Sequence, residues 1–192
     1  MSESTKQKIY TAAKRVFALY GYDGLSMRRL AEQAGIALSV IYHHYADKDE
    51  LLKEIFDTTR IQLGAERAKL PARTNASDML YDRIVFQIDH AEDVVFILKY
   101  YLHYREKFGR NDAGYIPVKA YLHIEEVLEA GLASGEFRIQ NTIQKEAKIV
   151  THAINGFLLE YYPIKVSAAE KRELATSIHD FVLRAITGGV IA

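Results

Sequence analysis

No cysteine and no tryptophan occur among the 192 residues. Without cysteine there can be no disulfide, no thiolate nucleophile and no cysteine-based zinc site. Proline appears three times, at Pro71, Pro117 and Pro163, and each is expected at a break between helices. Charge of one sign is not in excess: 25 basic and 25 acidic residues give a formal net charge of zero. The first fifty residues hold seven Lys and Arg against six Asp and Glu, leaving +1. Any contact with nucleic acid must therefore come from where charge sits and not from its quantity. Long apolar runs are missing as well. No stretch approaches the roughly 18 residues of a membrane span. The opening "MSESTKQKIY" lacks the apolar region of a signal peptide. These absences predict a cytoplasmic protein with no membrane partner.

Apolar residues make up 49% and charged residues 26% of the chain, which suits one or two globular domains with a real core. The patterns G-x-S-x-G, H-E-x-x-H, Walker A and G-x-G-x-x-G do not occur. His123-Ile124-Glu125 has the H-x-E element of zinc deaminases, but the cysteines that complete that site are missing. The reading is of a protein that is not an enzyme and needs no cofactor or metal.

Periodicity is helical throughout. Ile9, Ala12, Ala13, Val16, Phe17 and Tyr20 form one helix face. Ser4 with Gln7 makes a capping-box pattern at its start, and Gly21 supplies its stop. A short helix follows between Ser26 as N-cap and Gly35 as C-cap, then another from about Ala37. Asp47 and Glu50 form a second capping box before a helix running toward Leu70. Ser77 is expected to cap the next helix, with Leu80, Ile84, Gln87 and Ile88 on its buried face. Further helices are expected over "VVFILKYYLHYREKF", from Pro117 to a turn at "SGEF", over 143–162 and over 168–187. The fold class is all-α with about nine helices.

Residues 26–45 combine a short helix, a turn at "AGI" and a second short helix, the helix-turn-helix pattern. Gly35 can take the positive φ of the turn. Leu30, Ala31, Ile36 and Ile41 are spaced to face the first helix, so that the second short helix can enter a DNA major groove. Inside that helix stands "YHHY". His43 and His44 point about 100° apart on a helix and make a poor metal site, since helical ligands favour i, i+4 spacing.

The wider window, "FALYGYDGLSMRRLAEQAGI" followed by "IYHHYADKDELL", resembles the TetR family of bacterial transcriptional regulators. Phe17, Gly21, Leu30, Ala31, Ala34, Gly35, Ile36, Ile41, Tyr42, Tyr45, Lys48, Leu51 and Leu52 carry the signature. The resemblance covers roughly residues 5 to 56, with a fainter echo at "EAGLASGEFR". It implies a DNA-binding domain over 3–63, linked by its fourth helix to an effector-binding and dimerisation domain over 64–192. Tyr42 and Lys48 would bond DNA phosphates, the latter beside a helix N-terminus that itself favours anions. Ser26 would also touch the backbone, and Arg28 would reach phosphate or a guanine edge. Leu38, Ser39 and Val40 would face bases, with His43 or His44 at the rim. Ala37 would also lie at the DNA, and it is one departure, since many relatives carry a Ser or Thr cap there.

In the second domain the resemblance implies a pocket for a small hydrophobic or aromatic effector. Tyr100, Tyr104, Tyr121 and Phe157 are candidates for its wall. The last two helices carry apolar stripes broader than one covered face needs. Ile149, Ala153, Ile154, Ile178, Phe181, Val182 and Ala185 are the expected homodimer interface. The expected activity is a homodimeric repressor released from a near-palindromic double-stranded operator by its effector. A helical scaffold without DNA binding, or an activator of the same family, would share most of these features.

Overall fold

The three-to-four-residue apolar spacing is realised as nine α-helices among the described residues, with no strand. The computed structural model describes residues 4–108, 121–161 and 167–187. The helices are α1 (Thr5–Gly24), α2 (Met27–Ala34), α3 (Leu38–His44), α4 (Lys48–Arg67), α5 (Ala76–Asp89), α6 (Ala91–Phe108), α7 (Leu122–Ser134), α8 (Ile143–Tyr161) and α9 (Ala168–Ile186). The expected helix start at Pro117 and Val118, the turn at 109–114 and the break at Pro163 lie outside the described residues. No helix among the described residues is long and apolar enough to cross a membrane.

Local chemistry accounts for most boundaries. The Ser4 and Ser26 hydroxyls accept the N–H groups of Gln7 and Arg29 at 3.2 and 3.1 Å, satisfying donors that a helix start leaves open. Gly21 takes φ 68° and ends the regular part of α1, after which the chain makes one more turn to Gly24. Gly35 closes α2 at φ 66°, ψ 36°, a left-handed position that suits glycine. Asp47 Oδ1 accepts the Glu50 N–H at 2.9 Å, while the Glu50 carboxylate reaches Ala46 N–H at 2.7 Å, one residue before the usual box partner. Two expectations shift. Helix α4 ends at Arg67 instead of near Leu70. Helix α5 is capped by Asn75, whose Oδ1 accepts Asp78 N–H at 2.7 Å, and not by Ser77.

The chain divides into two compact units. The first contains α1 to α4 up to residue 66, together with α6 from residue 92. Its core gathers Ile9, Val16, Phe17, Leu30, Ile41, Leu51, Leu52, Ile55, Val95 and Phe96, all 2% exposed or less. Phe17 meets Phe96 edge-on at 5.3 Å, and Phe56 stacks on Tyr100 at 4.6 Å. Burying each such ring contributes on the order of 2–3 kcal/mol. The Lys14 ammonium meets Asp93 at 2.7 Å, and Lys99 donates to the Ala18 carbonyl. Helix α6 thus completes the core of the unit that holds the helix-turn-helix, although in sequence it follows α5.

The second unit packs α5 on α7 and α9, and α7 on α8. Leu80, Ile84, Ile124, Val127, Leu128, Ile154, Ile178 and Ile186 are fully buried there. The Glu136 carboxylate accepts the first N–H groups of α5, from Ala76 at 3.0 Å and Ser77 at 3.3 Å. Gly131 allows the Phe137 ring to lie where a side chain would otherwise stand, since a Cβ would come within 2.0 Å of it.

Candidate nucleic-acid interface

Helix α2 lays Met27, Leu30 and Ala31 inward against α1. The left-handed Gly35 then turns the chain sharply into α3. In α3 only Ile41 is fully buried. Tyr45, its C-cap, is 2% exposed and anchors the end of the helix. Burial beside Tyr10 and Glu54 raises the Tyr45 phenol, which stays neutral. With Ile41 and Tyr45 holding one side, Ala37, Leu38, Ser39, Tyr42, His43 and His44 are all exposed, and Val40 is half-buried. Leu38 and Tyr42 are 38% and 53% exposed. The outward side of this short helix therefore mixes exposed apolar and polar groups.

Nothing caps α3: Ala37 has the extended backbone of an N-cap at φ −68°, ψ 141°, but no side chain to accept a hydrogen bond. Ser26 is occupied as the cap of α2 and remains exposed. The two arginines of α2 separate cleanly. Arg28 is 85% exposed and loosely paired with Glu32 at 3.3 Å. Arg29 turns back to donate to the Gly24 carbonyl at 2.5 Å and lies over the Tyr20 ring.

Lys48 is half-buried and more engaged than its sequence position suggests. Its ammonium donates to the carbonyls of Tyr22 at 3.0 Å and Leu25 at 3.2 Å, and stands 3.7 Å from the Tyr22 ring centre. It therefore braces the turn between α1 and α2. Tyr22 is a junction that the sequence reading missed. Its hydroxyl donates to Asp49 at 2.6 Å, its ring stacks on His103 at 3.8 Å, and Lys107 reaches the same Asp49 at 2.7 Å. Burial, with Lys107 adding to it, lowers the His103 imidazole below its ordinary value. Hydrogen bonds from Lys107 and Tyr22 hold the Asp49 carboxyl below its ordinary range against some burial. None of these partners is near in sequence, and no motif announces them.

The candidate effector residues are divided. Tyr100 is 9% exposed and belongs to the core of the first unit. With Tyr104, His103, Asp47, Asp49, Glu50 and Lys53 it also lines a cleft of about 270 Å³. Tyr121 and Phe157 belong to the second unit. Lys148 lies over the Tyr121 ring at 4.9 Å, and Phe157 meets Phe181 edge-on at 6.5 Å. The candidate interface residues also divide. Ile154, Ile178 and Val182 fill the second unit's own core at 2% exposure or less. Ala153 is half-buried, while Ile149, Phe181 and Ala185 are exposed. Phe181, at 52%, and Ile149, at 49%, are large apolar groups facing outward. Among the described residues no cluster of three or more His, Cys, Asp or Glu could hold a metal ion.

Comparison with known proteins agrees with this geometry. Residues 9–55 match the family model of bacterial regulatory proteins, tetR family. Over 50 residues the chain is 44% identical to the HTH-type transcriptional repressor AcnR of Corynebacterium jeikeium, a span that covers 26% of each protein. The chain thus matches about a quarter of that relative's length. The fold extends much further. The ketosteroid transcriptional regulator KstR2 of Mycobacterium tuberculosis superposes with a TM-score of 0.75 at 20% identity, over 97% of both chains. The TetR family transcriptional regulator PfmR from Thermus thermophilus does so with a TM-score of 0.70 at 21% identity, over 92% of this chain and 97% of its own. Residues 9–55 therefore match the model of bacterial regulatory proteins of the tetR family, and the chain as a whole shares the fold of solved regulators described under that name.

Proposed function

We propose that the protein is a DNA-binding transcriptional regulator, acting as a homodimeric repressor that an effector releases from its operator. The observation that carries this reading is α3 itself. It is anchored by Ile41 and Tyr45 and offers Ala37, Leu38, Ser39, Tyr42, His43 and His44 outward beside the exposed Arg28. Tyr42 and Ser26 would contact phosphates. Lys48 would give one of its three donors to a phosphate while two hold the Tyr22 and Leu25 carbonyls. Leu38 and Val40 suit thymine methyls, and the polar rim falls to Ser39 and the two histidines.

Two such heads would enter successive major grooves about 34–36 Å apart. The outward half of the α8 and α9 stripes, exposed Ile149, Phe181 and Ala185 with half-buried Ala153, supports pairing of two copies. The buried half, Ile154, Ile178 and Val182, serves the subunit's own core. In this scheme residues 3–63 bind DNA in the cytoplasm, and residues 64–192 bind the effector and the second copy. An effector that prefers the released conformation shifts the population, and a swing from 1:99 to 99:1 needs about 5.5 kcal/mol of preference. The reading assigns the protein no reaction to catalyse. Footprinting of DNA upstream of its own and adjacent genes tests it. A protected near-palindrome is expected, and the absence of any protected site would overturn the proposal.

A further inference from the structure

The interior of the second unit collects hydrogen-bond donors, two of which have no acceptor among the described residues. Arg67 is the last residue of α4, Arg83 and Gln87 lie one turn apart on α5, and His123 is on α7. All four belong to that unit. The Arg67 guanidinium lies over the Phe86 ring at 5.3 Å, and its Nε is buried without a partner among the described residues. The Arg83 side chain is only 16% exposed, and its guanidinium meets Glu126 at 3.5 Å, a carboxylate whose own side chain is 66% exposed. One solvent-facing acid thus pairs with Arg83 and acts on Arg67 only through its charge.

His123 adds a donor without adding charge. It is 7% exposed, and burial together with the Arg67 and Arg83 charges lowers it to about 3, so it is neutral at physiological pH. The Gln87 amide nitrogen lies 3.4 Å from His123 Nε2. An amide nitrogen only donates, so Nε2 accepts and the ring proton sits on Nδ1. That Nδ1 is also buried without a partner among the described residues. The cluster therefore presents Arg67 Nε–H, His123 Nδ1–H and the Arg83 fork, and carries a surplus positive charge. Buried charges are ordinarily paired, and buried donors satisfied. A water could satisfy the donors but not the charge. A carboxylate does both, because its two oxygens match a guanidinium fork and retain lone pairs for a third donor. Phe86, Ile124 and Val127, buried on the same two helices, suit an organic acid better than a hydrated inorganic ion.

We propose that Arg67, Arg83 and His123 form the headgroup site for an organic carboxylate in the second unit. Its regulatory meaning rests on the repressor reading above; its existence as a binding site does not. The chemistry differs from the aromatic wall expected of Tyr100, Tyr104, Tyr121 and Phe157, since an ionic headgroup now fixes the ligand.

The test uses the full-length protein and three acids, acetate, hexanoate and benzoate, beside their neutral amides, with chloride holding ionic strength constant. The carboxylates should raise the thermal midpoint, by about 3–6 °C for each tenfold excess over Kd, and the amides should not. Arg67→Met and Arg83→Met should each abolish the response. Because they remove a buried charge lacking a full partner, they should keep or raise the unliganded midpoint. If none of the acids stabilises the wild type, or if acids and amides act alike, the proposal is overturned. So is it if the Met variants respond as the wild type does. A gel shift run alongside separates the two readings. An acid that stabilises the protein but leaves an operator complex intact removes the effector role and keeps the site. Operator binding with no response to any acid removes the site and keeps the DNA-binding regulator.

Discussion

Replacing Lys48 by alanine should do two things that can be measured apart. The ammonium makes charge-assisted hydrogen bonds to the Tyr22 and Leu25 carbonyls at 3.0 and 3.2 Å and sits 3.7 Å from the Tyr22 ring centre. Hydrogen bonds from a charged group contribute about 1.5–3 kcal/mol each, and a cation over an exposed ring about 0.5–1 kcal/mol. Lys48 is only half-buried, and water replaces part of what is lost. A net loss of about 2 kcal/mol follows, which for a chain of this size lowers the thermal midpoint by about 4–8 °C. This effect needs no DNA. The second effect does. If the remaining donor meets a phosphate, each subunit releases one counterion fewer after the change. The slope of log K against log salt should then fall by about 0.9 per subunit, or about 1.8 for a homodimer. Calorimetry of the free protein and gel shifts at four or five salt concentrations measure the two quantities. An unchanged midpoint would refute the bracing role, and an unchanged slope would refute the phosphate contact.

Ala37→Ser should give α3 the cap it lacks, because the backbone at φ −68°, ψ 141° is already that of an N-cap. The expected gain is about 0.5–1 kcal/mol, or roughly 1–4 °C in a thermal melt; a lower midpoint would show that the hydroxyl finds no N–H to accept. Phe181→Arg should convert the proposed dimer to a folded monomer in sedimentation, since the ring is 52% exposed, while Ile154→Ala should cost about 2–4 kcal/mol of folding stability instead. Dimers that survive Phe181→Arg unaltered would remove that face from the interface. His123 titrates lower in the folded chain, near 3, than its unfolded value of about 6.5. The unfolded state alone binds that proton between those values, so stability should decline as pH falls from about 6.5 toward 3. His123→Gln should flatten that part of the profile, and superimposable wild-type and variant profiles would contradict the assignment.

What the sequence made legible was local. Ser4, Ser26, Gly21 and Gly35 act on groups within a few residues of themselves, so their roles follow from spacing. Ser77 looked equivalent, but Asn75 stands two residues earlier and takes the cap, while the Ser77 hydroxyl meets His179, 102 positions along the chain. The inward side of α3 was readable because Ile41 and Tyr45 repeat at four residues. Lys48 was placed correctly at the start of α4, yet the carbonyls it holds lie 23 and 26 residues back, beyond any periodic signal. The broad stripes of α8 and α9 did not say which of their residues fill the subunit's own core, as Ile154, Ile178 and Val182 do. Arg67, Arg83 and His123 sit on three different helices, and only tertiary packing brings their charges to bear on one another.

The place of α6 bears on anyone who would transplant this reading head onto another sensor domain. A graft of residues 4–66 would follow the chain and leave behind Phe96 and Tyr100, which cover Phe17 and Phe56. It would also lose the Asp93 partner of Lys14 and the Lys107 partner of Asp49. The portable module is discontinuous. A working chimera has to carry residues 92–108 as well, or supply a donor helix whose apolar side is cut to the same shape.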